Sequence, residues 1–174
     1  SLNAMFWNDG TGGFRRDDSW LRGTDAHSVG AVFALGDFDG DGFIDAFLGA
    51  VESDDRNAQL HNNGDGKFTV VADSALNILG DNAIQGANAV DYDNDGDLDL
   101  IVVRFGGRPT QFYQNDGHGE FTEATPEPIR SELTYSLTAA WGDIDNDGDL
   151  DVIFGHWNWL RERLYLDRKS TRLN

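Results

Sequence analysis

The chain has 174 residues, and its 31 Asp and Glu against 13 Lys and Arg give a formal charge of −18 at pH 7. That charge excludes nucleic acid and anionic membrane surfaces as favoured partners and indicates cations instead. The sequence contains no cysteine, which rules out disulfides and thiolate metal sites, and it shows neither a signal peptide nor an apolar run long enough for a membrane span.

Two short motifs recur along the chain at one period. An acidic nine-residue loop, the Asp loop, occurs as DFDGDGFID, DYDNDGDLD and DIDNDGDLD, which begin at Asp37, Asp91 and Asp143. A second motif, NxGxGxF, keeps the same spacing and begins at Asn8, Asn62 and Asn115. A period near 53 residues, together with 21 glycines, favours an all-β fold built from four-stranded propeller blades over helical or leucine-rich repeats.

Apolar and β-branched runs predict the strands within each repeat. The chain opens on a strand at 3–7. The first full repeat contains strands at 29–35, 44–51, 58–61 and 68–72. The second contains strands at 87–90, 98–104, 110–114 and 121–124, and the third contains strands at 137–141, 150–155 and 163–166. Helix is the competing interpretation for 75–83 and 131–135, but both are short and poorly periodic, so we expect connections there.

The repeats divide the chain into a propeller fragment of about three blades. We expect the end of a preceding blade at 1–16, blades at 17–74 and 75–125, a partial blade at 126–167 and a tail at 168–174. In the tail, Lys169, Thr171 and Leu173 stand where the hairpin motif requires Gly, Gly and Phe. The ending RKSTRLN resembles translated sequencing-adapter text, so we interpret it as non-native; a natural basic tail is the alternative.

The Asp loops carry the chemistry of a cation site. Each has carboxylates at positions 1, 3, 5 and 9 and a glycine at position 6, where a sharp turn brings position 9 back. These carboxylates are Asp37, Asp39, Asp41 and Asp45; Asp91, Asp93, Asp95 and Asp99; and Asp143, Asp145, Asp147 and Asp151. Hard oxygen ligands select calcium over zinc or copper, so we expect three Ca²⁺ ions, one in each loop. An EF-hand is excluded, because position 12 is Leu48, Val102 or Phe154 instead of glutamate.

The period, the DxDxDGxxD loop with its preceding Gly-Asp junctions, and the NxGxGxF hairpin together resemble FG-GAP/VCBS repeats, the blades of integrin-α-like β-propellers. The resemblance covers roughly residues 3–167 and is nearer to the bacterial VCBS branch. It implies a propeller, usually of about seven blades, that is extracellular, on the cell surface or periplasmic. It also implies a further calcium ligand in each loop, the position 7 carbonyl of Phe43, Asp97 and Asp149.

Recognition is expected on the face opposite the Asp loops, where the connecting loops differ among the repeats. Candidate contacts there for a protein or carbohydrate ligand are Trp157, Trp159, Arg104, Arg108 and Arg161. Packing of the two Trp rings between adjacent blades is the alternative. No catalytic motif is present. The predicted function is therefore a calcium-binding adhesion or ligand-binding module of a larger protein that supplies further blades. A propeller-type polysaccharide lyase or hydrolase and a structural spacer are the alternatives.

Overall fold

The protein was analysed as a computed structural model that describes residues 4–22, 30–50, 56–77, 84–131, 135–157 and 163–165. These residues form an all-β structure of several sheets, with one short 3₁₀ turn at Ile129–Ser131 and no α-helix. The described part of the chain accordingly contains no helix that could cross a membrane. Short strands joined by Gly-rich and Asp-rich turns are what the alternating motifs predict.

The first two sheets come from the N-terminal half of the chain. Strands β1 (Met5–Asn8) and β2 (Phe14–Asp17) form an antiparallel hairpin. A five-stranded sheet follows in the order β3-β7-β6-β5-β4. Its strands are β3 (Leu21–Arg22), β4 (Gly30–Gly36), β5 (Asp45–Ala50), β6 (Ala58–Asn62) and β7 (Phe68–Val70). All neighbours in this sheet are antiparallel except β3, which pairs in parallel with β7.

The two remaining sheets repeat this antiparallel order. One has four strands in the order β11-β10-β9-β8 and the other has three in the order β12-β13-β14. The strands of the four-stranded sheet are β8 (Ile84–Val90), β9 (Asp99–Arg104), β10 (Gln111–Asn115) and β11 (Phe121–Glu123). Those of the three-stranded sheet are β12 (Ser136–Gly142), β13 (Asp151–His156) and β14 (Arg163–Tyr165).

The sheets pack face to face in chain order, and this places the core in three layers. Trp20, Leu48 and Leu60 are buried together between the five-stranded sheet and the first hairpin, against Met5. A second cluster, including Phe47 and Leu100, lies between the five-stranded and four-stranded sheets. A third cluster lies between the four-stranded and three-stranded sheets and is built from Ile101, Val103, Phe112, Ile129, Ala139, Val152 and Phe154. Strand β9 is therefore buried on both faces, because alternate residues point to opposite sides of a sheet.

Most predicted strands are present with boundaries shifted by one to three residues. Strand β8 begins at Ile84, three residues before its prediction, and β7 ends at Val70, two residues early. The sequence did not predict β2, β3 or the turn at Ile129–Ser131. Of the two regions where helix was the competing interpretation, 75–77 is a turn and 131 ends the 3₁₀ turn. Residues 78–83 and 132–134 lie outside the described residues, as does the tail at 168–174. The division into blades stays a prediction.

Candidate metal centre

The Asp loops connect consecutive antiparallel strands, and their backbone requires two left-handed residues each. Position 6 is Gly in every loop, with φ of 90° at Gly42, 100° at Gly96 and 97° at Gly148. Position 4 is also left-handed, with φ of 74°, 61° and 60° at Gly40, Asn94 and Asn146. Glycine and asparagine tolerate this conformation best. The turn at position 6 was predicted from its glycine, whereas the left-handed backbone at position 4, which the Gly, Asn and Asn residues there indicate, was not predicted.

Three carboxylates converge at each loop, from positions 1, 3 and 9. In each triad, one oxygen from every carboxylate lies within 4.8 Å of the others. The triads are Asp37, Asp39 and Asp45; Asp91, Asp93 and Asp99; and Asp143, Asp145 and Asp151. Among the described residues, the position 5 carboxylates of the second and third loops lie outside these groups, while Asp41 lies in a separate group with Asp39 and His61. All-oxygen triads of this kind suit a hard divalent cation.

The position 9 aspartate joins the loop to two strands. Asp99 is 0 % exposed and accepts hydrogen bonds from the backbone nitrogen of Tyr92 at 3.2 Å and of Asn115 at 2.9 Å. Asp45 is 3 % exposed and accepts from the backbone nitrogens of Phe38 at 3.1 Å and Asn62 at 2.8 Å. The position 9 carboxylate therefore belongs to the triad and also holds the end of the strand, β6 or β10, that leads into the hairpin motif.

Burial has an electrostatic consequence at these positions. Desolvation raises the pKa of Asp45, and it raises the pKa of Asp99 to about 6, with the charges of Asp93 and Asp95 acting in the same direction. At the third loop, desolvation and the nearby Asp147 raise the pKa of Asp145. A bound cation favours the ionised form of all these groups, so it offsets the cost of holding like charges close together.

The remaining carboxylates bond to the loop itself. The position 1 carboxylates accept from the backbone nitrogen of the position 6 glycine, at 2.9 Å for Asp37 and 3.1 Å for both Asp91 and Asp143. The other oxygen of Asp37, Oδ1, is buried and has no hydrogen-bond partner. A buried carboxylate oxygen without a donor is costly unless a cation lies against it. The residues of the first loop therefore fit a metal ion, which Asp37, Asp39 and Asp45 would hold.

A protein-family match begins at the same aspartates as the first two Asp loops. A profile of the FG-GAP-like repeat matches residues 37–102 and again residues 91–154, so each match begins on the first aspartate of a loop. Together the matches cover more than half of the chain. The chain belongs to the FG-GAP-like repeat family. No curated protein matches the sequence.

In this FG-GAP-like repeat protein the Asp loop and the NxGxGxF hairpin of one repeat touch each other. The side-chain nitrogen of Asn62 donates to the carbonyl of Ile44 at 2.9 Å, and that of Asn115 donates to the carbonyl of Leu98 at 3.0 Å. Both carbonyls belong to position 8 of the loop. Asparagine suits the first position of the hairpin motif. Its side-chain amide donates to the position 8 carbonyl of the loop, while its backbone nitrogen donates to the position 9 carboxylate.

The position 7 side chains lie close to the hairpins or to a neighbouring loop. A methyl group at Gly64 would lie 2.6 Å from the ring of Phe43, and one at Gly117 would lie 2.5 Å from the carboxylate of Asp97. Asp149 accepts a hydrogen bond from the side chain of Asn94 at 2.6 Å, which joins the second and third loops. The position 7 side chains thus tie the FG-GAP-like loops to their surroundings, and their carbonyls stay predicted ligands.

The residues predicted to contact a ligand fall into two groups. Trp157 lies just beyond β13 and is 54 % exposed, with its backbone nitrogen donating to the carbonyl of Tyr135 at 2.8 Å. Arg104 ends β9 and is only 6 % exposed, so it offers little surface to a ligand, and Arg108 is partly buried. Trp159 and Arg161 lie outside the described residues. Of the five, Trp157 is the described side chain with a broad exposed surface.

Proposed function

We propose that the chain is a calcium-binding β-propeller repeat module of a larger extracellular or cell-surface protein, and that it mediates adhesion or ligand binding. The observation that carries the proposal is the recurrence of one carboxylate triad in all three Asp loops. Exposed acidic residues are common on proteins, but the same three positions converging at a 52- to 54-residue spacing are the property of a repeated site.

Calcium is the ion that the donor set favours. Within each loop the converging side chains are aspartates, and calcium accepts six to eight oxygen ligands from carboxylates, carbonyls and water in flexible geometry. The triad would supply three ligands, and the position 5 carboxylates and position 7 carbonyls would supply more. Bound at the loop, the ion would stabilise the strand ends that Asp45, Asp99 and Asp151 begin.

A propeller is supported by the order in which the sheets pack. Each sheet covers the next one along the chain, and its first long strand lies beside the corresponding strand of the following sheet, β4 beside β8 and β8 beside β12. In a propeller the innermost strand of each blade lines a central channel in this way. Repeat modules of this kind are parts of longer chains, so we expect further blades from the same parent protein.

The ligand is proposed to bind at the end of the strands opposite the Asp loops. Strand β12 enters the third Asp loop and β13 leaves it, so Ser136 and His156, which pair in register, mark the other end of this sheet. Trp157 and Tyr135 lie there, both exposed. Aromatic rings displayed at the end of a rigid sheet are suited to stacking on a sugar or to anchoring a protein partner.

Thermal unfolding with and without calcium tests the metal part of the proposal. For sites with dissociation constants near 0.1 mM, millimolar calcium should stabilise the fold by about 1.5 to 2 kcal/mol per site relative to the same protein in chelator. Equilibrium dialysis should find three ions per chain. Identical melting curves in calcium and in chelator, together with no bound ion, would reject the metal site.

Binding to a panel of acidic polysaccharides and matrix proteins tests the ligand part. Trp157→Ala should weaken binding to whichever ligand is found and leave calcium-dependent melting unchanged. The control is Phe14→Ala, which removes an exposed ring from β2 instead. Equal binding by the two variants and the parent would place recognition elsewhere on the protein.

A further inference from the structure

The position 3 aspartate of the first and second Asp loops lies within 3.0 Å of a side-chain nitrogen from the third strand of its repeat. In the first repeat, Nδ1 of His61 lies 3.0 Å from Oδ2 of Asp39 and 3.4 Å from Oδ1 of Asp45. In the second, Nε2 of Gln114 donates to Oδ2 of Asp93 at 2.6 Å. The contact is made with the same carboxylate oxygen in both repeats.

His61 and Gln114 occupy equivalent positions. Each lies on the third strand of its repeat, β6 or β10, and each immediately precedes the asparagine that opens the NxGxGxF motif. A histidine and a glutamine differ in shape, but each can present an N–H at this point. What the two repeats have in common is therefore a hydrogen-bond donor facing the position 3 carboxylate.

We propose that His61 and Gln114 are positioning residues that hold the position 3 carboxylate toward the metal. This inference rests on the calcium site of the proposed function. Oδ1 of Asp39 accepts a hydrogen bond from the backbone nitrogen of Asp41 at 3.2 Å, so a contact at Oδ2 restrains the second oxygen of the same carboxylate. A donor on Oδ2 fixes the carboxylate, so less conformational freedom is lost when an ion binds.

A second interpretation of His61 is available in the geometry. Asp39, Asp41 and His61 lie close enough to share one ion, which would make His61 a ligand. Glutamine at the matching place in the second repeat favours the donor role, because its amide nitrogen is the atom that meets Asp93 and such a nitrogen does not bind metals. The third repeat provides a contrast, since the residue that follows Tyr165, the counterpart of Tyr113, is Leu166 in sequence, which has no donor.

The test is equilibrium dialysis of the full chain over a range of free calcium, with melting in chelator measured alongside. His61→Ala should shift one of the bound ions to about 10-fold or more higher free calcium, and His61→Ala with Gln114→Ala should shift two. His61→Gln should restore the parent affinity, because glutamine performs this task in the second repeat. Melting in chelator should change little in any of these variants.

Matched controls are His118→Ala, at an exposed histidine of the second hairpin, and Gln85→Ala, at an exposed glutamine of β8; neither should alter calcium affinity. Parent affinity in His61→Ala would overturn the inference while leaving the calcium site in place. Loss of affinity in His61→Gln as large as in His61→Ala would also overturn it, in favour of a ligand role. If the unaltered chain binds no calcium, the proposed function fails first and this inference with it.

Discussion

The side-chain nitrogen of Asn115 donates a hydrogen bond to the carbonyl oxygen of Phe38 at 2.8 Å, across 77 positions of sequence. Phe38 is position 2 of the first Asp loop, whereas Asn115 opens the hairpin motif of the second repeat. Asn115 is 2 % exposed and also bonds to its own loop through the carbonyl of Leu98. One buried amide therefore joins two repeats at the end of the molecule where the carboxylate triads lie.

Replacing this amide should destabilise the protein. Asn115→Ala removes the donor to the carbonyls of Phe38, which is buried, and Leu98, which is partly buried. We expect a loss of about 2 to 4 kcal/mol in the free energy of unfolding, measured by urea denaturation. Asn62→Ala is the control, because Asn62 bonds to Ile44 within its own repeat and is partly exposed. Its cost should be about 1 kcal/mol. Equal losses in the two variants would show that the link between repeats contributes nothing.

The carboxylates at positions 9 and 5 should separate a structural role from a metal-binding role. Asp99→Ala removes the acceptor for the backbone nitrogens of Tyr92 and Asn115, so it should cost about 2 to 4 kcal/mol even in chelator. Asp95 is exposed, and Asp95→Ala should change stability in chelator by about 0.5 kcal/mol or less. In calcium, both variants should bind fewer ions than the parent, as measured by dialysis. Full calcium stoichiometry in Asp95→Ala would remove position 5 from the ligand set.

The repeated motifs explain why most strands of this fold could be predicted from the sequence. The Asp loop and the hairpin motif fix the two ends of the strands, and the apolar runs between them predict strands such as β5, β9 and β13 within a residue or two. The spacing of the loop predicts that the carboxylates at positions 1, 3, 5 and 9 converge, and among the described residues those at positions 1, 3 and 9 form the triads.

What the sequence did not reveal is set by contacts between distant segments. Strand β3 has two residues and no pattern of its own; it exists because Leu21 pairs with Phe68, and the backbone nitrogen of Phe68 donates to Trp20. The donor role of Gln114 depends on which strand lies beside the loop, and a single polar residue in a strand carries no such information. Burial of Arg104 likewise results from packing around the end of β9.

The glycines that precede two Asp loops should respond differently to the same substitution. A methyl group at Gly36 would lie 2.9 Å from Leu98 and 3.1 Å from Phe38, at the contact between two sheets. Gly36→Ala should therefore cost about 1 to 3 kcal/mol through overpacking. Gly142 is the equivalent residue before the third loop and has nothing within 4 Å of such a methyl, so Gly142→Ala should be neutral or slightly stabilising. Urea denaturation of the two variants measures the difference. A larger loss of unfolding free energy in Gly142→Ala than in Gly36→Ala would contradict the packing between the first two Asp-loop sheets.

The contact between the first hairpin and the five-stranded sheet should depend on pH through Asp17. Its carboxylate accepts hydrogen bonds from Lys67 Nζ at 3.0 Å and from the backbone and hydroxyl of Ser19, both at 2.8 Å. These donors, Lys67 first and with Trp7 adding a weaker bond, hold the pKa of Asp17 well below its usual range. A depressed pKa in the folded state means that the stabilisation is present above about pH 4, the pKa of an unfolded aspartate, and is lost as the pH falls below it.

Asp17→Asn should therefore lower the melting temperature at pH 7, because the amide cannot replace the charged acceptor, and the difference from the parent should stay constant down to about pH 5. Below about pH 4 the parent loses its advantage and the two melting temperatures should converge. Asp18→Asn is the control, since its pair with Arg16 is exposed and contributes little at any pH. Melting curves of the three proteins between pH 7 and pH 3 provide the comparison. A gap between Asp17→Asn and the parent that persists unchanged at pH 3 would show that the carboxylate charge is not what stabilises this contact.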